Sequence, residues 1–264
     1  MNILLHTAIP LAEQAALAIT QLTRNSTKDQ RKADHSIVTE ADFIANQIIV
    51  EGLQKAFPDH AILSEETGLS GNINSEYVWV IDPLDGTKAY AKGIPGYSVM
   101  IGLLKNRKPY LGIVKDPLEG HLYAAVKGEG ASHTWKGRKQ GLRVSSRNLI
   151  QQMPLILSPG FPENELNEIR QKLTGPLIPP INSVGIKVGL LVRQIGDIYL
   201  NHHSVSYWDT VAPQIILEET GGVFSTWEGN ELKYDLEKAI YDHGTKTIAS
   251  NNQIHSFILQ KISS

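Results

Sequence analysis

The chain has 264 residues, which is enough for one large domain or two modest domains with a hydrophobic core. Its formal net charge at pH 7 is −2, so no strong electrostatic attraction to nucleic acid or to a membrane surface is expected. The sequence contains no cysteine, which excludes disulfides, thiolate nucleophiles and cysteine-based zinc or iron–sulfur sites.

The N-terminal residues give no sign of export or membrane insertion. They lack a basic segment, and Pro10 and Glu13 stand where a secretion signal would need an apolar run. We also expect no apolar stretch long enough to span a bilayer. These features predict a soluble, cytoplasmic protein that has no membrane partner.

Two amphipathic helices are predicted in the N-terminal part of the chain. Apolar residues recur at helical spacing over residues 3–23, and we expect Pro10 to disturb this helix. The same spacing over residues 43–57 predicts a second helix, which Pro58 ends.

Short β-type runs follow these helices and are separated by turn-forming residues. Residues 68–75 are rich in Gly, Asn and Ser and are predicted to form a loop. The last three runs lie at hairpin spacing, which favours antiparallel pairing. The predicted strands are 61–64, 77–81, 97–104, 110–114 and 121–126.

The patterning fades near residues 145–152, and we predict a domain boundary there. The two domains would be residues 1–147 and residues 148–264. Alternating helices and mainly antiparallel strands are typical of a layered α+β protein. The predicted elements of the second part are strands at 155–158 and 198–200 and helices at 163–173, 184–195 and 210–219.

The most informative segment is Asp82-Pro83-Leu84-Asp85-Gly86-Thr87, which places two carboxylates after an apolar strand. Pro83 removes a backbone donor and fixes φ, so the strand cannot simply continue through it. Gly86 allows the backbone to approach a ligand closely. A helix that starts at Gly86 or Thr87 would point free N–H groups at an anion such as phosphate.

Two carboxylates beside an anion site would repel the anion unless a cation lies between them. A ligand set made only of oxygen atoms, with no Cys or His, favours Mg²⁺ over Zn²⁺. Taken alone, the segment is equally compatible with a strand followed by an ordinary Asp-Gly turn.

Three further acidic elements each have a structural explanation of their own. Glu65 follows an earlier strand, where a solvated loop start would account for it. Asp209 stands at the expected N-cap of an apolar helix. Thr39 and Asp42 have the spacing of a capping box.

In combination, these acidic elements indicate one protein family much more specifically than any of them does alone. The order Asp42, Glu65-Glu66, Asp82–Thr87 and Trp208-Asp209 resembles the inositol monophosphatase-like superfamily of metal-dependent, lithium-sensitive phosphatases. The resemblance covers most of the chain, from position 32 to position 222. It implies an α+β fold, a layered αβαβα sandwich of the inositol monophosphatase and fructose-1,6-bisphosphatase type with largely antiparallel sheets. It also implies an active site between the two domains.

Within that superfamily the chain is most similar to the CysQ-type 3'(2'),5'-bisphosphate nucleotidases. Lys88 completes the Asp-Gly-Thr-Lys form of the motif, and residues 31–39 resemble the nucleotidase segment at that place. The run Ser183-Val184-Gly185-Ile186-Lys187 resembles a Gly-Ser-Ser-x-Lys element that contacts the nucleotide. It departs from that element because Asn182 replaces the first glycine and the glycine of the run is shifted.

The resemblance implies two Mg²⁺ ions in the site, with a third left open. Glu65, Asp82 and the carbonyl of Leu84 would hold the first ion. Asp82, Asp85 and Asp209 would hold the second, so that Asp82 bridges the pair. Two metals about 4 Å apart can activate a water and stabilise the leaving oxygen.

The resemblance also assigns catalytic and substrate-binding roles. Asp42 pairs with Thr87 to activate the attacking water, and the Gly86-Thr87 backbone binds the scissile phosphate. Ser183 and Lys187 bind the second phosphate or the nucleoside. The complete set of implied substrate-binding residues is Glu65, Leu84, Asp85, Gly86, Thr87, Ser183, Lys187 and Asp209.

The implied function is Mg²⁺-dependent removal of the 3'-phosphate from adenosine 3',5'-bisphosphate, a by-product of sulfate activation. The sulfated analogue, 3'-phosphoadenosine 5'-phosphosulfate, is a second candidate substrate. The partner would be this small phosphorylated nucleotide, with no nucleic-acid polymer and no obligatory protein partner. The alternatives are a phosphatase of inositol monophosphate or sugar phosphates, and a non-catalytic metal- or nucleotide-binding regulator. The regulator is disfavoured because every motif carboxylate is present.

Overall fold

The computed structural model describes residues 2–23, 30–31, 37–238 and 240–263. Residues 32–36, the middle of the segment similar to nucleotidases, lie outside the described residues. The described helices are α1 Ile3–Thr23, α2 Glu40–Ala56, α3 Thr87–Ala91, α4 Glu163–Lys172, α5 Val184–Val192, α6 Val211–Glu218 and α7 His255–Ser263.

The described strands comprise an antiparallel pair of two-residue strands and two larger sheets. The strands are β1 Gln30–Arg31, β2 Ile37–Val38, β3 Ala61–Ser64, β4 Gly68–Ser70, β5 Tyr77–Asp85, β6 Ser98–Lys105, β7 Lys108–Lys115, β8 Leu122–Val126, β9 Gly130–Trp135, β10 Arg138–Gly141, β11 Leu155–Leu157, β12 Leu177–Ile178, β13 Ile198–Asn201, β14 Gly222–Thr226 and β15 Thr247–Asn251.

The larger sheet has eight strands in the order β10-β9-β8-β7-β6-β5-β3-β4. Its pairs are antiparallel except for β3 and β5, which run parallel. The smaller sheet has five strands in the order β12-β11-β13-β15-β14. In it β11 is parallel to both neighbours and the other pairs are antiparallel. The large sheet therefore matches the predicted, largely antiparallel arrangement, whereas the small sheet has two parallel and two antiparallel pairs.

Side chains that alternate along β5 belong to cores on opposite faces of the large sheet. Trp79 and Ile81 lie in the buried cluster beneath α1 and α2. Val78 and Val80 lie in a second cluster, which includes residues of α5 and α6. Tyr199 of β13 belongs to that same cluster, so α5 and α6 are packed between the two sheets.

A third cluster covers the outer face of the small sheet. It joins Leu155 and Leu157 of β11 with Ile169 of α4 and Ile258 of α7. The layers are therefore α1 and α2, the large sheet, α5 and α6, the small sheet, and α4 and α7. This arrangement confirms the predicted αβαβα sandwich.

Helix α1 packs against α2 and the large sheet. Ala8, Ala15 and Ile19 are fully buried in the cluster beneath it. The helix runs through Pro10, so the expected disturbance does not end it. By length and composition, Ile3–Leu22 is apolar enough to cross a bilayer, and the expectation that no such stretch exists is wrong. Helices that pack on a protein core, as α1 does here, can have the same length and apolar composition.

Strand β5 extends to Asp85, beyond its predicted end at residue 81, but it does not pass Pro83 as a regular strand. The pairing of β5 with β6 shifts register between Asp82 and Asp85, so a bulge separates the two carboxylates. Pro83 lies within that bulge, where its missing N–H interrupts no regular ladder position. A further difference is β4, which occupies the start of the predicted loop over 68–75.

The proposed division into residues 1–147 and 148–264 stays a prediction. The cluster between the sheets contains Met100 and Val114 from the first part and Val188 and Ile215 from the second. The two parts therefore share one continuous core.

Candidate active site

Three carboxylates from two places in the chain converge at one end of β5. Asp82 and Asp85 lie on either side of the bulge, and Asp209 lies in the segment before α6. One oxygen atom from each of the three lies within 4.8 Å of the others. Asp82 and Asp85 are buried, so this is an acidic cluster in a region of low solvent access.

Glu65 is brought to the same place by the parallel pairing of β3 with β5. It follows β3 directly, and its backbone N–H donates to the carbonyl of Ile81 at 3.1 Å. That bond fixes Glu65 beside the residue that precedes Asp82. Glu65 lines the same cavity as Asp85 and Asp209.

Asp82 and Asp209 are each held by a backbone donor close by in sequence. Asp82 Oδ1 accepts from the N–H of Leu84 at 3.0 Å, and Asp209 Oδ2 accepts from the N–H of Ser206 at 2.7 Å. The predicted N-cap role of Asp209 is wrong, because Thr210 is the N-cap residue of α6. Asp209 is instead held in a turn just before the helix, where one of its oxygens completes the acidic cluster.

Asp85 is held by groups that are remote in sequence. Its Oδ2 accepts from the hydroxyls of Ser98, at 3.2 Å, and Ser183. It also accepts from the backbone N–H of Gly185 at 3.0 Å. Three donors thus meet at one oxygen of this carboxylate.

The capping box at the start of α2 is present, and it also reaches the site. Asp42 Oδ2 accepts from the N–H of Thr39 at 2.8 Å and from its hydroxyl at 2.7 Å. The other oxygen, Oδ1, lies 3.1 Å from the hydroxyl of Thr87. That hydroxyl is also 3.0 Å from the carbonyl of Leu84. The structural and the catalytic interpretation of Asp42 are therefore compatible.

Gly86 turns the chain from β5 into α3. Its φ is 90°, in the left-handed region, and it precedes Thr87, the first residue of α3. A Cβ atom at this position would lie 2.5 Å from the carbonyl oxygen of Gly96 and 3.1 Å from the Cα of Tyr97. Only glycine fits both the conformation and the space.

The acidic cluster opens into a cavity of about 560 Å³. Residues that follow β11 and β13 in the small sheet line this cavity together with residues of the large sheet. It is lined by Glu65, Leu84, Asp85, Gly86, Thr87, Lys88, Ser158, Pro159, Gly160, Asn182, Val184, Lys187, His203, Ser204, Val205, Ser206, Trp208 and Asp209.

The two residues predicted to contact the nucleotide occupy different places. Lys187 lines the cavity but is only 1% exposed. Its Nζ donates to Ser158 Oγ at 3.1 Å and lies 4.6 Å from the ring centroid of Tyr199. Burial lowers the pKa of Lys187 to about 8, although Asp85 acts in the opposite direction. Ser183 is fully buried and its hydroxyl is engaged by Asp85.

Comparison with known proteins agrees with this arrangement. Residues 2–264 match the inositol monophosphatase family. The chain belongs to that family. It is a metal-dependent phosphatase that hydrolyses phosphoric monoesters, as the residues of the motifs predicted.

Several known proteins are similar to this phosphatase over most of its length. The "Nus factor SuhB" of Haemophilus influenzae is 32% identical over 233 residues, which cover 84% of this chain and 85% of the relative. The "3'(2'),5'-bisphosphate nucleotidase CysQ" of Escherichia coli K12 is 31% identical over 240 residues, covering 89% and 95%. The inositol monophosphatase of Anabaena has a similar solved structure, with a TM-score of 0.80, 27% identity and coverage of 99% and 95%.

The charge distribution explains why this phosphatase requires a cation. Burial raises the pKa of Asp82 well above its usual range, and the negative charges of Glu65 and Asp85 raise it further. Burial raises the pKa of Asp209 in the same way, with Asp85 and Glu65 adding to the effect. A bound cation would offset this repulsion. The donor set consists entirely of oxygen atoms, so it fits a hard divalent metal.

The acidic cluster should make stabilisation by Mg²⁺ pH-dependent. Because the pKa values of Asp82 and Asp209 are raised above the usual 3.8, the folded metal-free protein keeps protons that a metal must displace. In the metal-free protein, the contribution of protonated Asp82 and Asp209 to the free energy of unfolding is therefore lost as pH rises through their raised pKa values. The increase in Tm caused by MgCl₂ should grow as pH rises above the usual carboxyl pKa of 3.8.

Thermal melts in EDTA and in excess MgCl₂, at matched ionic strength, would measure this increase. Contributions from buried histidines such as His243 and His255 cancel, because they are present in both samples. A Tm increase that is the same at every pH would contradict the prediction.

The sequence did not reveal several residues that shape the site. Ser98 lies opposite Asp85 in the pairing of β6 with β5. Ser158 lies directly after β11 and meets Lys187 across the cavity wall. Gly185 donates to Asp85 from the first turn of α5. The strand pairing could have indicated Ser98, but the other two contacts depend on how α5 packs.

Proposed function

We propose that this phosphatase uses Mg²⁺ to remove the 3'-phosphate of adenosine 3',5'-bisphosphate. The observation that carries the proposal is the cationic side chain of Lys187 in the wall of the cavity that holds Asp85 and Asp209. A substrate with two anionic groups can use both features. A metal held by the carboxylates would bind the scissile phosphate, and the lysine would bind the second anionic group. The named activity of the CysQ relatives supports the same substrate.

The residues that would hold Mg²⁺ are those named from the sequence. Glu65, Asp82 and the Leu84 carbonyl would hold one ion. Asp82, Asp85 and Asp209, each of which has an oxygen within 4.8 Å of the others, would hold another. When bound, the metal supplies Lewis acidity and lowers the pKa of a coordinated water. The backbone of Gly86 and Thr87, at the start of α3, would bind the oxygens of the scissile phosphate.

Asp42 and Thr87 would take the proton from the attacking water. The Thr87 hydroxyl can accept that proton while its own hydrogen passes to Asp42 Oδ1, 3.1 Å away. The Thr39 N–H and hydroxyl both donate to Asp42 Oδ2, and these bonds favour the ionised carboxylate. Asp42 is therefore oriented for this transfer before substrate binds.

The opposite wall of the cavity would bind the rest of the nucleotide. Lys187 and Ser158 already form a hydrogen-bonded pair there, and His203 lines the same cavity. These groups provide donors for a second phosphate. Ser183 does not share this role in our proposal, because its hydroxyl is buried against Asp85.

Two other functions compete with this one. A phosphatase acting on inositol phosphate or sugar phosphates would use the same carboxylates, and the similarity to the Anabaena inositol monophosphatase favours it. A non-catalytic regulator would not need the complete set of Glu65, Asp82, Asp85, Asp209 and Asp42. We disfavour the regulator because all five are present and the described contacts bring them to one site.

Phosphate release from adenosine 3',5'-bisphosphate and from inositol 1-phosphate should be compared in MgCl₂ and in EDTA. We expect faster turnover of the nucleotide, and no turnover of either substrate in EDTA. Faster turnover of inositol phosphate would overturn the nucleotide assignment. No release from either substrate in MgCl₂ would overturn both enzymatic functions.

Replacing Lys187 with methionine should weaken binding of the second phosphate while leaving binding of the scissile phosphate largely unchanged. Methionine keeps most of the buried volume but removes the charge, so the protein should fold. We expect KM for the bisphosphate nucleotide to rise about tenfold or more, because charge-assisted hydrogen bonds contribute about 1.5–3 kcal/mol. KM for a small phosphomonoester should change much less. Equal changes for both substrates would argue against a role for Lys187 in binding the second phosphate.

The proposal has further consequences. If the substrate assignment is correct, the enzyme acts in sulfur metabolism, and the resemblance implies inhibition by lithium. Action on 3'-phosphoadenosine 5'-phosphosulfate, a cytoplasmic location and the absence of an obligatory protein partner stay predictions.

A further inference from the structure

One oxygen of Asp85 is the meeting point of two elements from different parts of the chain. Ser98 begins β6, and its hydroxyl lies 3.2 Å from Asp85 Oδ2. Ser183 is the N-cap of α5, and Gly185 is in its first turn. The Ser183 hydroxyl and the Gly185 N–H both donate to the same oxygen, the latter at 3.0 Å.

Ser183 is itself held on several sides, so its hydroxyl has little freedom. Its Oγ accepts from the N–H of Ile186 at 3.0 Å, which caps α5. Its backbone N–H donates to the carbonyl of Gly96 at 3.1 Å. The hydroxyls of Ser98 and Ser183 lie 2.9 Å apart, and both residues are fully buried. Rotation of either hydroxyl away from Asp85 would break an ordered network.

The contact also depends on a close approach of α5 to the large sheet. A Cβ atom at Gly185 would lie 2.5 Å from Ser98 Oγ and 2.8 Å from Cγ1 of Val114. Glycine is therefore needed at position 185 for the N–H to reach Asp85. This close approach explains why the run of residues 183–187 has its glycine at position 185.

Asp85 differs in this respect from the other carboxylates of the cluster. Asp82 and Asp209 accept backbone N–H groups two and three residues away. The side-chain donors to Asp85 lie 13 and 98 positions away. The position of this carboxylate is therefore set by the packing of α5 on the sheet rather than by its own loop.

We propose that Ser183 and Ser98 are positioning residues that hold Asp85 Oδ2, so that only Oδ1 is presented to a divalent cation. This inference rests on the proposed metal-dependent function and adds the residues that set the metal affinity. Without the two hydroxyls, Asp85 can rotate, and ordering it again on metal binding costs free energy. Because Lys187 lies on the same helix one turn later, α5 would align the metal-binding wall and the substrate-binding wall of the cavity.

The test is the Mg²⁺ affinity of Ser183→Ala in the absence of substrate, measured by isothermal titration calorimetry. Loss of a hydrogen bond to a metal ligand typically weakens metal binding about 10–100-fold, and we expect a Kd increase in that range. Electron paramagnetic resonance with Mn²⁺ provides a second measurement that does not depend on catalysis. The matched control is Ser250→Ala, which removes an equally buried hydroxyl bonded to His255 in the small sheet. Its Kd should equal that of the wild type.

The outcomes distinguish this inference from the proposed function. An unchanged Kd in folded Ser183→Ala overturns the positioning role, even if the wild type hydrolyses the nucleotide. A wild type that binds Mg²⁺ but releases no phosphate overturns the proposed function, while the comparison of Kd values still decides the inference. If Ser183→Ala fails to fold, Ser98→Ala carries the test. A smaller increase in Kd would support the inference, and an unchanged Kd would overturn it.

Discussion

Replacing Asp82 with asparagine should abolish phosphate release without loss of the fold. Asp82 is the carboxylate common to both implied metal positions, so the variant should lose metal activation of water, which we expect to lower kcat by about 10³-fold or more. Asparagine has nearly the same shape and can still accept the Leu84 N–H. It also removes a buried charge that Glu65 and Asp85 repel. The metal-free variant should therefore be at least as stable as the metal-free wild type.

The measurements are phosphate release in MgCl₂ and the free energy of unfolding in EDTA. Asp116→Asn is a matched control, because Asp116 is another buried carboxylate whose pKa is raised by burial. It accepts from the N–H groups of Leu118 and Glu119, which do not line the cavity. The control should retain its activity. An active Asp82→Asn enzyme would show that the assignment of the metal ligands is wrong.

Replacing Gly86 with alanine should damage both the fold near the site and the activity. An alanine at φ 90° is strained by about 1–2 kcal/mol. Its Cβ would also lie 2.5 Å from the Gly96 carbonyl, so the backbone must move. That movement displaces Thr87 and Asp85 from their partners. We expect a lower Tm and a loss of activity of about 10²-fold or more, since misplacement by about 1 Å can cost that much.

Gly93→Ala separates the effect of backbone strain from the effect of the clash. Gly93 has a φ of 67° and lies just after α3, but a Cβ atom there meets nothing within 4 Å. This control should show a modest decrease in Tm and nearly unchanged activity. If both variants lost activity equally, the close approach of Gly86 to Gly96 would not be the cause.

Local patterns predicted some elements of the first part of the fold and missed others, including β9 and β10. Strand β3 has the predicted bounds, and α1 spans the predicted residues 3–23. Helix α1 has apolar residues at helical spacing and β3 is a short apolar run bounded by polar residues, and both are signals that a local pattern can report. Strand β15 was missed because Thr247, Ser250 and Asn251 are polar, although every residue of the strand is buried. Its place in the small sheet depends on pairing with β13 and β14, which no local period records.

The sequence by itself determined the elements of the site that depend on short spacing. The Thr39–Asp42 capping box and the two carboxylates around Pro83 each involve residues no more than three positions apart. Their residue types and spacing can therefore be identified in the sequence itself. The order of these elements along the chain then indicated the phosphatase family.

The tertiary structure alone decided how the carboxylates are held and what surrounds them. Strand β5 continues past Pro83 through a bulge, and Thr210 rather than Asp209 is the N-cap of α6. Ser183 lies against Asp85 rather than in the cavity. For Asp85 the physical reason is that its contacts join residues up to 100 positions apart. Their geometry depends on how closely α5 packs on the large sheet, and amino-acid spacing along the chain does not specify that distance.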